Sequence, residues 1–172
     1  MDFLKFAAER FSVRSFSPEH LSDEEITKIL KAAHIAPTGC NFQPYRILVM
    51  NTDESLNKLK DCTKCHFNAP TAMLVCFNRD ECWERKYDGK LSGQADACIV
   101  TTHMMLEAHS LGIGSTWVMH FDPEAMRKSF NIPKNTEPVA LLTLGHPSAD
   151  AAPSPMHSQY RAQEEVVIYE TF

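Results

Sequence analysis

Two guanidinium groups and a hydroxyl lie within the five residues Arg10-Phe11-Ser12-Val13-Arg14, with the arginines four positions apart. Guanidinium groups hold phosphate and other electron-rich oxygens through charge-assisted, often paired hydrogen bonds, so this density of donors points to a small anionic cofactor. Two later segments set polar groups beside glycine: Pro37-Thr38-Gly39-Cys40-Asn41-Phe42-Gln43-Pro44 and Gly112-Ile113-Gly114-Ser115-Thr116-Trp117. A different chemistry is offered by Cys62-Thr63-Lys64-Cys65-His66, which has the spacing of c-type haem attachment. Cys62, Cys65 and His66 also form a candidate thiol-redox or zinc set, with Cys76 and Cys82 as further ligands, although no second Cys-x-x-Cys pair completes a zinc spacing. Incidental reduced cysteines are the simplest reading of that cluster.

The elements that must position these groups can be read from periodicity and caps. Phe3, Phe6, Ala7 and Phe11 predict an amphipathic helix from Met1 to Phe11, with Arg10 at its exit. Ser22 and Glu25 form a capping box for a second helix through Ile26, Ile29, Leu30 and Ala33, which must stop before Pro37. Arg46 to Met50 and Thr71 to Phe77 read as buried strands, with a short helix over Asp53 to Cys62 between them. Ser92 to Leu111 predicts a long central helix closed by Gly112, apolar nearly all round and therefore buried. Asp122-Pro123 opens another helix, and Pro138 to Leu144 reads as a core strand. Residues 146–160, rich in proline, serine and small residues, predict an irregular arm before the apolar Val166-Val167-Ile168-Tyr169.

Composition narrows the function classes. A chain of 172 residues falls in the range of one domain, expected to span 1–172, and buries about two-thirds of the surface its unfolded form exposes. With 17 basic residues scattered along the chain and a net charge of −5, an electrostatic nucleic-acid binder is not expected. No apolar run approaches the roughly 20 residues of a membrane span, and Asp2 and Glu9 flank too few apolar residues for a signal peptide. The expectation is a cytoplasmic protein whose six cysteines form no structural disulfide.

Taken in their order, the arginine segment, the Pro37 to Pro44 segment and the Gly112 to Trp117 segment resemble the FMN-dependent nitroreductase family. The likeness runs from Arg10 to Glu164-Glu165-Val166-Val167. It implies an α+β, nitroreductase-like fold with a central mixed or antiparallel sheet flanked by helices. It also implies an intertwined homodimer with an FMN in each of two clefts lined by both subunits. The resemblance puts Arg10, Phe11 and Ser12 in the first FMN-contacting segment, Arg10 and Ser12 chiefly at the phosphate, and Arg14 at the pyrimidine side. A cation there stabilises the negative charge that reduction builds on the flavin.

By the same resemblance Pro37, Thr38, Gly39, Asn41 and Gln43 approach the flavin, in part from the partner subunit. Gly39 would leave room for a flat ring, and Asn41 and Gln43 would offer amide donors and acceptors. Val118, Met119 and His120 match the stretch that lies against the ring, with the main-chain N–H of Met119 or His120 directed at flavin N5. The His120 side chain is either a proton donor or packing. Near the end, the family's Arg-Lys pair is replaced by Tyr160-Arg161, which leaves Arg161 as the basic candidate and protonated His157 as its substitute.

The activity so implied is ping-pong transfer of a hydride from NADH or NADPH through FMN to a nitroaromatic, quinone or similar small oxidant, with no side-chain catalytic residue required. Arg79 to Lys90, carrying Trp83, Arg85 and Tyr87, is the candidate lid over the substrate. The competing reading is a flavin-binding sensor or reservoir, separated from an enzyme by the rate of NAD(P)H oxidation.

Overall fold

The computed structural model describes residues 2–172; Met1, at the head of the first predicted helix, lies outside the described residues. Helix α1 (Phe3–Glu9) is capped by the Asp2 carboxylate, which accepts the Leu4 N–H at 3.0 Å, and it ends as Arg10 turns extended. Helix α2 (Asp23–His34) carries the Ser22/Glu25 capping box in full and stops before Pro37. A 3-10 turn (Gly39–Asn41) leads to strand β1 (Tyr45–Met50), helix α3 (Asp53–Cys62) and strand β2 (Thr71–Asn78). A second 3-10 turn (Arg79–Glu81) precedes helix α4 (Gly93–Ser110), strand β3 (Gly114–Val118) and helix α5 (Pro123–Phe130). Strand β4 (Thr136–Gly145) and the one-turn helix α6 (Gln163–Val166) complete the order.

The four strands form one antiparallel sheet in the order β1-β2-β4-β3, so the expected α+β architecture is present. The central strands are apolar on both faces because both faces are covered. Met73, Val75, Leu142 and Leu144 join α2 and α4 in one core, whereas Ala72, Leu74, Cys76 and Leu141 join α3 and α5 in the other. This is the two-residue alternation of a strand read twice over. Pro138 lacks the N–H that a central ladder needs, and the pairing shifts register there, with Val75 opposite Ala140 and Cys76 opposite Pro138.

Two expectations need correction. The stretch after Gly112, read as the approach to a cofactor, is itself the edge strand β3, as the β-branched and aromatic run Thr116-Trp117-Val118 permits. Helix α4 is not buried all round. It seats Ala97, Val100, Met104 and Ala108 in the core and leaves Gln94, Ala95 and Ile99 exposed, because nothing in a single chain covers that side.

What positions the arginine segment is the outer edge of β3. The Val13 N–H donates to the Ser115 carbonyl at 3.0 Å, the Thr116 hydroxyl donates to the Val13 carbonyl, and Val13 is 3% exposed. Farther on, the Ser17 N–H reaches the His146 carbonyl at 2.8 Å and the Ser148 N–H reaches the Ser15 carbonyl at 3.1 Å. Val13 can sit so close because residue 114 has no side chain: a Cβ there would lie 2.8 Å from the Val13 Cβ. Gly114→Ala is expected to destabilise the protein by about 1–3 kcal/mol through overpacking, read as a lower urea midpoint at unchanged slope.

Candidate functional site

Arg10 reaches inward from the end of α1. Its guanidinium is half-buried and Nη1 is fully shielded with no hydrogen-bond partner, as is Ser115 Oγ on β3. Both residues line one cavity of about 200 Å³ together with His109, Gly112, Gly114 and Pro147. Burial lowers the Arg10 pKa from its usual value because the charged form has lost water without gaining an anion. A buried donor left unpaired costs free energy, and an anion at this point would remove that cost. Arg14 points elsewhere: its Nη1 donates to the Ser12 carbonyl at 3.2 Å, and its guanidinium carbon lies 5.9 Å from the centre of the Phe67 ring. One cation therefore serves the cavity and the other serves the wall built by residues 62–68.

That wall contains the Cys62-x-x-Cys65-His66 motif, and the structure gives the motif a framework role. The Thr63 hydroxyl, buried, donates to the His120 carbonyl at 2.5 Å and accepts the Cys65 N–H at 2.9 Å. The Asp122 N–H donates to the Cys62 carbonyl at 2.8 Å, and the Phe121 N–H to the Met119 carbonyl at 3.1 Å. These bonds occupy the segment after β3, except that the Met119 and His120 N–H groups are bonded to no protein acceptor among the described residues. Phe67 and Asn68 follow in the left-handed region at φ 50° and 48°, held in part by the Asn68 N–H donating to His66 Nδ1 at 2.9 Å. The cysteines do not converge with His66: the Cys62 thiol faces the Lys58 carbonyl and Ser129, all six cysteines are free, and no cluster of three metal-ligating side chains occurs among the described residues.

The Pro37 to Gln43 segment is a tight turn in which Cys40, Asn41 and Gln43 all have positive φ, at 48°, 58° and 51°. Thr38 organises it by accepting the Gln43 N–H on its hydroxyl at 3.1 Å and the Asn41 N–H on its carbonyl at 2.9 Å. Gln43 spends its side-chain amide inside the turn, donating to the Asn41 carbonyl at 3.3 Å. The missing Cβ of Gly39 is explained within the chain itself, since it would meet Ser92 Oγ at 3.1 Å and Trp83 Cβ at 3.2 Å. No hydrogen bond or ion pair joins this turn to the Arg10 to Arg14 segment among the described residues. The predicted site residues thus fall into two groups within one chain.

The sequence profile of the nitroreductase family matches residues 7–91 and 66–146. The chain belongs to the nitroreductase family. It is 34% identical over 151 residues to a protein of Archaeoglobus fulgidus with the provisional name NADH dehydrogenase/NAD(P)H nitroreductase, covering 84% of each chain. A nitroreductase family protein of Clostridium difficile 630 superposes with a TM-score of 0.93 at 39% identity over the full length of both chains. A provisionally named nitroreductase of Desulfovibrio desulfuricans, solved in complex with FMN, matches at a TM-score of 0.80 and 26% identity over 100% of this chain and 98% of its own.

In this family member Arg161 is remote from Arg10: its side chain is 79% exposed and its only ion pair is with Glu165 at 3.9 Å. His157 lies nearer, with Nε2 3.0 Å from the Ala8 carbonyl and its ring edge toward Phe11. The candidate lid is a hairpin closed by the Glu84–Leu91 bridge and by Arg85 clamped on Asp88, with Trp83 against Gly39 and Tyr87 98% exposed at its tip. Residues that the sequence did not single out for the site are Thr63, Phe67, Asp96 and Ser115. Asp96 is the one acidic residue within an apolar helical run, which is a signal in itself.

Thr63→Val keeps shape and removes both of its hydrogen bonds, so it is expected to cost about 1–3 kcal/mol in denaturant unfolding. A second expectation concerns acid. Burial, then the charges of Lys60 and Lys64, lower the His66 pKa below its ordinary 6.5. The unfolded chain therefore binds a proton that the folded chain resists, so stability present near neutral pH falls as pH drops through about 6.5. Urea midpoints measured from about pH 7.5 to about 5.5 should decline in the wild type and decline less in His66→Gln.

Proposed function

We propose that the protein, an oxidoreductase of nitroreductase type, uses FMN and oxidises NADH or NADPH at the expense of a small oxidant such as a nitroaromatic or quinone. When bound, FMN supplies the two-electron chemistry between the nicotinamide donor and that oxidant. The observation that carries the reading is the buried, unpartnered Arg10 Nη1 beside the unpartnered Ser115 Oγ, a cationic and hydroxyl-lined cavity suited to a phosphate. The FMN-bound neighbour of the same fold supports the cofactor. The order of reaction is ping-pong, with the donor leaving before the oxidant takes its place.

The chain's residues divide the work. Arg10 and Ser12, with Phe11 packed at the cavity wall, hold the phosphate end, and Ser115 adds a hydroxyl there. Arg14, steadied over Phe67, keeps a positive charge at the pyrimidine side, where it stabilises negative charge developing during reduction. Val118 delivers the chain from β3 so that the free Met119 and His120 N–H groups can donate to the ring. Pro37, Thr38, Gly39, Asn41 and Gln43 form the opposite wall, and Arg161 joins the phosphate once its arm is placed.

Two copies of this single domain, residues 1–172, are the active unit. The separation of the two residue groups within one chain supports a cleft shared between subunits. So do the exposed Ile99 face of α4, the unpaired edge of β1, and the exposed Val166, Val167, Ile168, Tyr169 and Phe172. No helix among the described residues is long and apolar enough to cross a membrane, which agrees with a cytoplasmic enzyme.

The test begins with the visible spectrum of protein purified without added cofactor, followed by acid release and chromatography. FMN at about one per chain, bleached by NAD(P)H and recovering with a quinone, is the expected result. Arg10→Met should weaken FMN binding by about ten- to a hundredfold, the worth of hydrogen bonds to a charged group, with little change in thermal unfolding of the apoprotein. A colourless protein that takes up no added FMN overturns the reading, and stoichiometric FMN with NAD(P)H oxidation no faster than free flavin makes the protein a reservoir instead.

A further inference from the structure

Asp96 lies in the first turn of α4, 2% exposed, with no lysine or arginine at ion-pair distance among the described residues. Its two oxygens are both satisfied by donors: Oδ1 accepts the Gly39 N–H at 2.8 Å, and Oδ2 accepts the Ser92 hydroxyl at 2.7 Å. An interior carboxylate without a counter-ion is costly, and here only two hydrogen bonds and the positive end of an 18-residue helix offset that cost. A neutral residue would hold Ser92 and the helix end more cheaply.

The Gly39 N–H opens the turn in which Cys40, Asn41 and Gln43 are all left-handed, a conformation that non-glycine residues hold only when their surroundings enforce it. Thr38 enforces it from within the turn, and Asp96 is the tie that fastens the turn to the body of the protein. Ser92 and the Trp83 Cβ pack against Gly39 from the same side, so the carboxylate, the turn and the base of the 79–92 hairpin form one unit.

We propose that Asp96 is a positioning residue for the Pro37 to Gln43 turn and that its charge, lying one hydrogen bond behind that turn, lowers the reduction potential of the cofactor the turn faces. This rests on the reading of the turn as flavin-facing. A fixed negative charge in a medium of low dielectric disfavours the added negative charge of a reduced flavin, and the effect is larger there than in water. The two parts of the role separate chemically. Asp96→Asn is isosteric, keeps an oxygen for the Gly39 N–H and turns its amide toward Ser92 Oγ, but it carries no charge. Asp96→Ala removes both.

The first experiment labels Cys40, exposed in the turn, with a thiol reagent in the apoprotein, using Cys40→Ser to identify its contribution. Asp96→Ala is expected to speed Cys40 labelling at least about tenfold, the loss of one hydrogen bond to a charged group, while Asp96→Asn stays near wild type. The second titrates bound FMN against reference dyes: Asp96→Asn should raise the potential with FMN affinity retained, and Asp96→Ala should weaken FMN binding about tenfold or more. Unchanged Cys40 labelling in Asp96→Ala overturns the positioning role, and an unchanged potential in Asp96→Asn overturns the electrostatic one. Failure of the wild type itself to bind FMN sinks the flavin reading instead, and the labelling result still decides whether Asp96 holds the turn.

Discussion

The clamp of Val13 against the outer edge of β3 is the contact on which the candidate site depends. It is a short extended pairing, made by the Val13 N–H, the Val13 carbonyl and the Thr116 hydroxyl, and it fits only because residue 114 has no side chain. Two long cationic side chains on a free segment would be solvated and mobile. With Val13 buried between them, Arg10 is directed into the cavity under Gly112 and Ser115, and Arg14 is directed to the Phe67 ring four loops of chain away. Preorganisation of this kind is what lets a fixed charge act on a cofactor without first paying to order itself.

Strain gathers on the two walls flanking that clamp. Left-handed Phe67 and Asn68 lie on one wall, and left-handed Cys40, Asn41 and Gln43 on the other. Each wall is tied back by a buried polar side chain whose partner is backbone: Thr63 through the His120 carbonyl, and Asp96 through the Gly39 N–H. Such ties fix the direction of peptide groups, and in a site whose chemistry belongs to the cofactor the direction of peptide N–H groups is much of what the protein contributes. The Cys62 to His66 motif takes its meaning from this frame, since its backbone braces residues 119–122 while its thiols and imidazole face different partners.

The single chain leaves apolar surface uncovered in three places: the outer face of α4, the free edge of β1 and the C-terminal arm beyond His157. Edges and arms of this kind invite a second chain, and a two-fold pairing would cover each patch twice. The arm is anchored at its root by Ser15, Ser148 and Asp150 and again at His157, so its terminal residues are presented outward rather than left loose.

Local physical chemistry determined the helices and the central strands. The Ser22/Glu25 box, Asp122 before Pro123, and the apolar runs of β2 and β4 each act over a few residues and are legible without the fold. The arginine segment was legible too, because five residues suffice to concentrate charge. What only the tertiary structure decided is where those groups meet. Ser115 becomes a cavity residue because β3 pairs beside Val13, Phe67 becomes a platform because Arg14 reaches it, and Asp96 governs a turn 57 residues away in sequence. The outward face of α4 was misread because a helix with apolar residues on every side looks the same in sequence whether its outer cover is its own chain or another. Sequence records which residues need burial; the partner that buries them is set by contacts between distant segments, and those exist only once the chain has folded.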